Sequence, residues 1–282
     1  MAISASAVSS AADHAVRESA PWIEKLARLG FAAKALLYMT IGALAAAAAL
    51  GKGGKTGTDT RGAMQTLLEQ PFGRALVGVI AVGLFGYGVY RLIDGLKDAE
   101  HRGKGAKAIA LRIAAISSGL IYLGLTYTAV QLAMGHYVQG GSDQKTQHWT
   151  ARALATPGGQ YALYGVAAAF VGYGIYQLYR AWKAKLGKQL SLGRMSWRSE
   201  RVVIAISRFG IAARGVVFSM IGVLLFRAAH HRNPGEAGGI GKSMRELVEF
   251  GRWPFTAIAV GLIAYGIYQL INAKYRRLNA AG

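Results

Sequence analysis

Three strings carry the side chains best placed for chemistry: Gly86-Tyr87-Gly88-Val89-Tyr90-Arg91-Leu92, Gly172-Tyr173-Gly174-Ile175-Tyr176-Gln177-Leu178 and Ala264-Tyr265-Gly266-Ile267-Tyr268-Gln269-Leu270. Their Gly-Tyr-Gly core invites comparison with a potassium filter, in which rings of backbone carbonyls replace the hydration shell of an ion. A filter needs an extended loop backed by a pore helix. These strings lie inside apolar stretches, and one has Ala264 in place of its first glycine. They are therefore read as packing and anchoring devices. Tyr87 and Tyr90, Tyr173 and Tyr176, and Tyr265 and Tyr268 are i, i+3 pairs, so each pair shares one helix face. Interfacial tyrosines, apolar at one end and wet at the other, account for them. A ring of six tyrosines around an axial vestibule is the sharper alternative.

Lys34 and Arg214 are basic residues within otherwise apolar segments. Each lies six residues beyond an arginine, Arg28 or Arg208, and hence about 9 Å deeper at a rise of 1.5 Å per residue. Charge inside a membrane is costly and often functional. Two readings stay open: side chains that snorkel back to the headgroups, the favoured one, and a shared polar pocket. Tyr38, Thr40, Tyr122 and Ser219, about one turn farther in, would be its hydroxyl partners. Ser118 takes the equivalent position in the middle copy of the pattern.

The other reactive groups argue for little. With no cysteine, the chain has no disulfide, thiol nucleophile, thiolate zinc site or protein-ligated iron–sulfur cluster. The histidines, His14, His101, His136, His148, His230 and His231, all fall outside the apolar segments, which speaks against a bis-histidine haem between helices. His230 and His231 with Glu236 could hold a divalent metal, but solvated loop residues explain them better. Ser142, Asp143 and His148 share a loop without nucleophile-elbow context. No carboxylate falls within the apolar segments as read here. No catalytic, metal or cofactor-binding residue is assigned, no cofactor is implied and no enzymatic activity is expected.

The elements that must position these residues are membrane helices. Of 282 residues, 53% are hydrophobic and only 16% charged, against about 25% charged in soluble domains. Apolar segments at 31–50, 75–90, 113–134, 161–179, 209–226 and 253–271 approach the roughly 17–25 residues that a bilayer demands, the second and fifth being shortest. The net charge is +20, and 22 of the 33 Lys and Arg fall on one side of the implied topology, with 11 on the other; the acids divide 7 to 6. By the positive-inside rule both termini are cytoplasmic. The fourth loop carries Arg180, Lys183, Lys185, Lys188, Arg194, Arg198, Arg201 and Arg208 with Trp182 and Trp197. It suits anionic lipid headgroups of the bilayer better than nucleic acid. Protein partners within the membrane remain open.

Internal repetition is the most informative feature. The three strings recur at separations of 86 and 92 residues, and Arg28-Leu29-Gly30-Phe31-Ala32-Ala33-Lys34 matches Arg208-Phe209-Gly210-Ile211-Ala212-Ala213-Arg214. Outer-loop residues Met64, Leu67, Leu68, Glu69, Phe72, Gly73 and Arg74 match Met244, Leu247, Val248, Glu249, Phe250, Gly251 and Arg252. The organisation read from this is a disordered or interfacial tail (1–25), repeat 1 (26–97), a cytoplasmic linker (98–109), repeat 2 (110–185), a basic cytoplasmic linker (186–204) and repeat 3 (205–277). Met1 to Ala20 shows no signal-peptide pattern. The expected fold is an all-α, integral-membrane six-helix bundle of three tandem two-helix repeats in pseudo-threefold arrangement. Small residues must carry helix association in lipid, so Gly83, Gly86, Gly88, Gly165, Gly172, Gly174, Gly261 and Gly266 are expected to face neighbouring helices.

A pair of spans with Arg and Gly opening the first and Gly-Tyr-Gly-x-Tyr near the end of the second resembles the domain of unknown function 1206 family, over about residues 26–277. The resemblance implies a bacterial integral membrane protein of the cytoplasmic (inner) membrane built from tandem helical pairs; it implies no activity, ligand or functional residue. Ala264 and Ser118 depart from the pattern. The expected role is a non-enzymatic membrane scaffold or accessory component; the alternative is a channel or transporter with a polar path for a small solute or ion along the axis.

Overall fold

The computed structural model describes residues 5–51, 57–97, 105–136, 140–183 and 197–275. Among these residues every regular element is helical: α1 (Ala5–Ala49), α2 (Thr60–Leu68), α3 (Gly73–Lys97), α4 (Ala106–Ala133), α5 (Ser142–Leu154), α6 (Gly159–Lys183), α7 (Trp197–His230), a 3-10 turn at Pro234–Glu236, α8 (Ile240–Glu249) and α9 (Arg252–Tyr275). Part of each linker expected over 98–109 and 186–204 lies outside the described residues. The backbone of the tail, expected to be disordered or interfacial, is helical from Ala5, in keeping with its alanine content, since alanine has the best helix propensity.

Among the described residues five helices are long and apolar enough to cross a membrane: Lys25–Ala49 within α1, Gly73–Leu96 in α3, Ala108–Ala133 in α4, Ser199–His230 in α7 and Arg252–Tyr275 in α9. α6 has the length, at 25 residues. Its Tyr161, Tyr164, Tyr173, Tyr176 and Tyr179, together with Gln160 and Gln177, make it less apolar than the rest. The span in α3 also reaches farther than the sequence reading, and so contains Asp94. This acid is fully buried and accepts a 2.8 Å hydrogen bond from Arg91 Nη1.

The tightest helix pairs join different repeats: α9 packs on α1, α3 on α4, and α6 on α7. Within repeats, α1 packs on α3 and α7 on α9, whereas α4 and α6 share no comparable interface. The long helices therefore follow one another in space as α4, α3, α1, α9, α7, α6, with the second repeat open. The glycines give the reason. A Cβ at Gly30 would lie 2.7 Å from the Gly83 carbonyl oxygen, and one at Gly210 would lie 2.6 Å from Tyr265 Cα, so these within-repeat crossings need glycine. Repeat 2 has Ala114 at the equivalent position, and it is exposed. Gly88, Gly174 and Gly266 make the contacts between repeats, their Cβ positions lying 3.2, 2.7 and 2.8 Å from the carbonyl oxygens of Gly119, Gly215 and Ala35. Gly83, Gly86 and Gly261 also meet a neighbouring helix. Gly165 and Gly172, expected to do so, face open space; Gly172 does because α4 does not close on α6, whereas Gly165 shares its outward direction with the exposed Val79 and Ala257 of the closed repeats.

In two repeats the opening arginine caps the last helix of a neighbouring repeat. Arg28 Nη1 donates to the carbonyls of Ala273 (2.7 Å) and Lys274 (2.9 Å), and Arg112 donates to those of Gly95 (2.8 Å) and Leu96 (2.7 Å). A cation at these orphan carbonyls also complements the helix dipole. At the other end, α2 and α8 bury Met64 and Leu67, and Met244 and Leu247. Asp59 ties the loops together there. Its Oδ1 accepts from Gly62 N (2.8 Å), capping α2, and its Oδ2 from Ser142 N (2.9 Å) and Ser142 Oγ (2.6 Å). Asp143 likewise accepts from Gly239 N (2.8 Å) and Arg245 Nη2 (2.7 Å).

Candidate functional site

Where the long helices converge, three edge-to-face aromatic pairs each join two different repeats. Tyr265 meets Tyr38 at 4.7 Å between centroids, Tyr87 meets Tyr122 at 4.8 Å, and Tyr173 meets Phe218 at 5.2 Å. Each pair couples the first tyrosine of a Gly-Tyr-Gly-type string with the aromatic residue four positions after Lys34, Ser118 or Arg214. The spacing i, i+4 puts that residue on the same helix face as the basic position.

Two cations serve these three pairs. Lys34 is buried, with Nζ 4.0 Å from the Tyr87 ring centroid, 5.2 Å from Tyr122 and 5.5 Å from Phe31. Arg214, only 8% exposed, has its guanidinium carbon 4.5 Å from Phe218, 5.0 Å from Tyr265, 5.6 Å from Tyr173 and 5.9 Å from Tyr38. The half-buried Ser118 supplies no charge. The long fork of Arg214 spans two pairs, Tyr173–Phe218 and Tyr265–Tyr38.

Arg214 Nε donates to the Tyr38 hydroxyl (3.2 Å) and Nη1 to the Tyr173 hydroxyl (3.0 Å). Among the described residues no carboxylate lies within ion-pair distance of it. Its electrostatic neighbours are the hydroxyls of Tyr173, Tyr265, Tyr38 and Tyr122. Taking an ion out of water costs several kcal/mol. A cation–π contact returns about 0.5–2 kcal/mol, and a hydrogen bond to a charged group about 1.5–3 kcal/mol. These contacts stabilise the guanidinium without neutralising it. Because both hydroxyls accept from Arg214, each retains its own proton to donate elsewhere.

The remaining candidate positions fall into two groups. Tyr90 and Tyr268 are buried; Tyr268 accepts a 3.3 Å hydrogen bond from Arg180 Nη2. Tyr176, on the open repeat, is 43% exposed. The six tyrosines thus do not form one ring: the first of each pair joins the aromatic contacts, while the second lies a turn away. Of the proposed hydroxyl partners, Tyr38 and Tyr122 reach the cations. Thr40 Oγ1 donates back to Leu36 O (2.9 Å), and Ser219 Oγ is buried without a hydrogen-bond partner. Sequence reasoning missed Phe31, Phe218, and the buried Gln177 and Gln269, each of which has a side-chain oxygen without a partner. The recurrence of an aromatic four residues after Lys34, Ser118 and Arg214 was a signal that could have found Phe218.

Away from the cage, His231 Nδ1 lies 2.9 Å from Glu236 Oε2. That hydrogen bond, helped by the charges of His231 and Arg227, holds the Glu236 carboxyl below its ordinary range.

Comparison with known proteins places this arrangement in a family. The model of the Domain of Unknown Function (DUF1206) matches residues 29–98, 113–184 and 209–276. The chain belongs to the DUF1206 family. It is 30% identical over 264 residues to "Uncharacterized protein YxxB" of Bacillus subtilis (strain 168), covering 93% of this chain and 94% of that one. No solved structure matches. The chain is therefore a three-repeat DUF1206 protein, all-helical among its described residues, with several helices of membrane-spanning length and apolarity.

Proposed function

We propose that this DUF1206 protein is a non-enzymatic, multi-pass protein of a bacterial cytoplasmic membrane that binds an oxyanion at Arg214. In this reading six helices in three repeats surround a pseudo-threefold axis, with α6 as the sixth span. The excess of basic residues in the N-terminal region, second and fourth loops and C-terminus puts both termini in the cytosol, against anionic headgroups.

One observation carries the functional part: a buried guanidinium whose neighbours are two hydroxyls and four aromatic faces, with no carboxylate among the described residues to neutralise it. A passive scaffold needs no polar interior, and its closest-packed region would be the least favourable place for an isolated charge. A guanidinium flanked by two O–H donors matches the geometry and charge of a phosphate, sulfate or carboxylate. Passage along the axis is the second reading, and the aromatic pairs that fill the centre would have to separate for it.

The test is thermal unfolding of the full chain in detergent, with sodium sulfate or phosphate against sodium chloride at equal ionic strength. Saturating oxyanion is expected to raise the unfolding temperature by on the order of 5 °C, the consequence of a ligand at about 100 times its Kd. Tyr173→Phe, which removes one donor and leaves the ring in place, is expected to reduce the gain by about half. Equal stabilisation by sulfate and chloride would refute the site.

A further inference from the structure

The second repeat differs from the others in a way that bears on how a ligand reaches Arg214. α4 and α6 do not close on each other. Only 22% of the apolar window of α4 is buried, against 44–50% for the other four candidate spans, so one of its sides lacks a protein neighbour. On α6, Gly172 faces open space, and Tyr173 is 36% exposed although its hydroxyl lies on Arg214. A single side chain therefore joins the unpartnered face of the protein to its buried charge. On α4 the half-buried Ser118 stands where a third cation would otherwise sit.

Resting on the oxyanion reading above, we infer that the gap between α4 and α6 is a lateral entrance, and that its occupant is an anionic phospholipid of the surrounding bilayer. Its phosphate pairs with Arg214 and the Tyr38 and Tyr173 hydroxyls, and its acyl chains lie along the exposed apolar faces of α4 and α6. Two features of the molecule select this occupant. The pathway is apolar while its end is cationic, the polarity of a lipid entering headgroup first; Ile113, Leu120, Ile121, Ile175 and Leu178 are exposed along the two helices. The basic residues Arg180, Lys183 and Arg208, at the end of α6 and near the start of α7, draw anionic lipid to that region of the surface.

The experiment is native mass spectrometry of the detergent-purified full chain, titrated separately with dioleoylphosphatidylglycerol, dioleoylglycerol and inorganic phosphate. One phosphatidylglycerol per chain is expected to be retained, at least tenfold more tightly than dioleoylglycerol or phosphate. Gly172→Trp, which fills the entrance where a side chain meets nothing, is expected to weaken retention about tenfold. Gly78→Trp, equally unobstructed but on α3, should leave it unchanged. Retention that Gly172→Trp does not alter, or equal binding of dioleoylglycerol, overturns the entrance. So does a dimer that forms through this face and is abolished by Gly172→Trp. Phosphate bound as well as phosphatidylglycerol, and lost in Arg214→Gln, overturns the lipid while leaving the oxyanion site standing. If neither phosphate source binds and Arg214→Gln changes nothing, both fall.

Discussion

Gly210→Val is expected to prevent the third repeat from packing and to leave the chain largely misfolded. At this crossing a Cβ would lie 2.6 Å from Tyr265 Cα and 2.7 Å from the Ala264 carbonyl carbon. These are backbone atoms and cannot rotate away. Forcing α7 from α9 separates Phe209 and Ala213 from Gly261, and it moves Tyr265 relative to Arg214. Overpacking costs typically about 1–3 kcal/mol where side chains can adjust; with backbone on both sides the expected loss is at least about 3 kcal/mol. In lipid no hydrophobic force between helices offsets it. A substitution of the same size on the open repeat, Gly172→Val in α6, meets no atom within 4 Å and is expected to stay within about 0.5 kcal/mol of the parent. The monodisperse fraction in gel filtration and the midpoint of thermal unfolding check both. Comparable losses from the two variants would mean that the second repeat is closed like the others.

Arg214→Gln is expected to weaken sulfate binding at least a hundredfold by isothermal titration. Removing one partner of a buried charge pair costs about 3–5 kcal/mol, and each 1.4 kcal/mol is a tenfold change in Kd. Arg214→Lys keeps the charge and loses the fork. Lys34 shows what a lysine does here: it settles over a single aromatic pair, Tyr87 and Tyr122. A lysine at 214 would serve Tyr38 and Tyr265 and abandon Tyr173, so its affinity is expected to fall about tenfold, between parent and glutamine. The order Arg, Lys, Gln separates a specific fork from general positive charge. Affinity within threefold of the parent in Arg214→Gln would remove this residue from the site.

How much of this was legible in the sequence follows from what is local and what is not. Helix length, apolarity and the threefold recurrence depend on neighbouring residues, and these properties are visible in 86- and 92-residue spacings. Lys34, Ser118 and Arg214 stood out for the same reason, being polar in apolar surroundings, and Tyr38 and Tyr122 were reachable by counting one turn onward. The destination of the side chains was not legible. Snorkelling and an interior pocket demand the same residues at the same depth; only the packing of α6 and α9 on α7, and of α1 on α9, directs Arg214 to Tyr38, Tyr173 and Tyr265. The open second repeat was equally hidden. Its sign is Ala114 where Gly30 and Gly210 stand, one methyl group whose meaning depends on how closely two helices cross. Arg28 caps carbonyls of the third repeat, a partnership between the two ends of the chain that no local pattern shows. Asp94 was placed beyond its apolar segment because hydropathy falls at Arg91, although the helix continues and buries it.

The central claim, that Arg214 is an interior charge awaiting an anion, is tested most directly by diffraction from crystals of the full chain soaked in sodium selenate. An anomalous selenium peak within hydrogen-bond reach of the Arg214 guanidinium and the Tyr173 hydroxyl, absent in Arg214→Gln, is the predicted result. A guanidinium turned outward to the membrane surface, or paired with a carboxylate of this chain and bearing no peak, would contradict it.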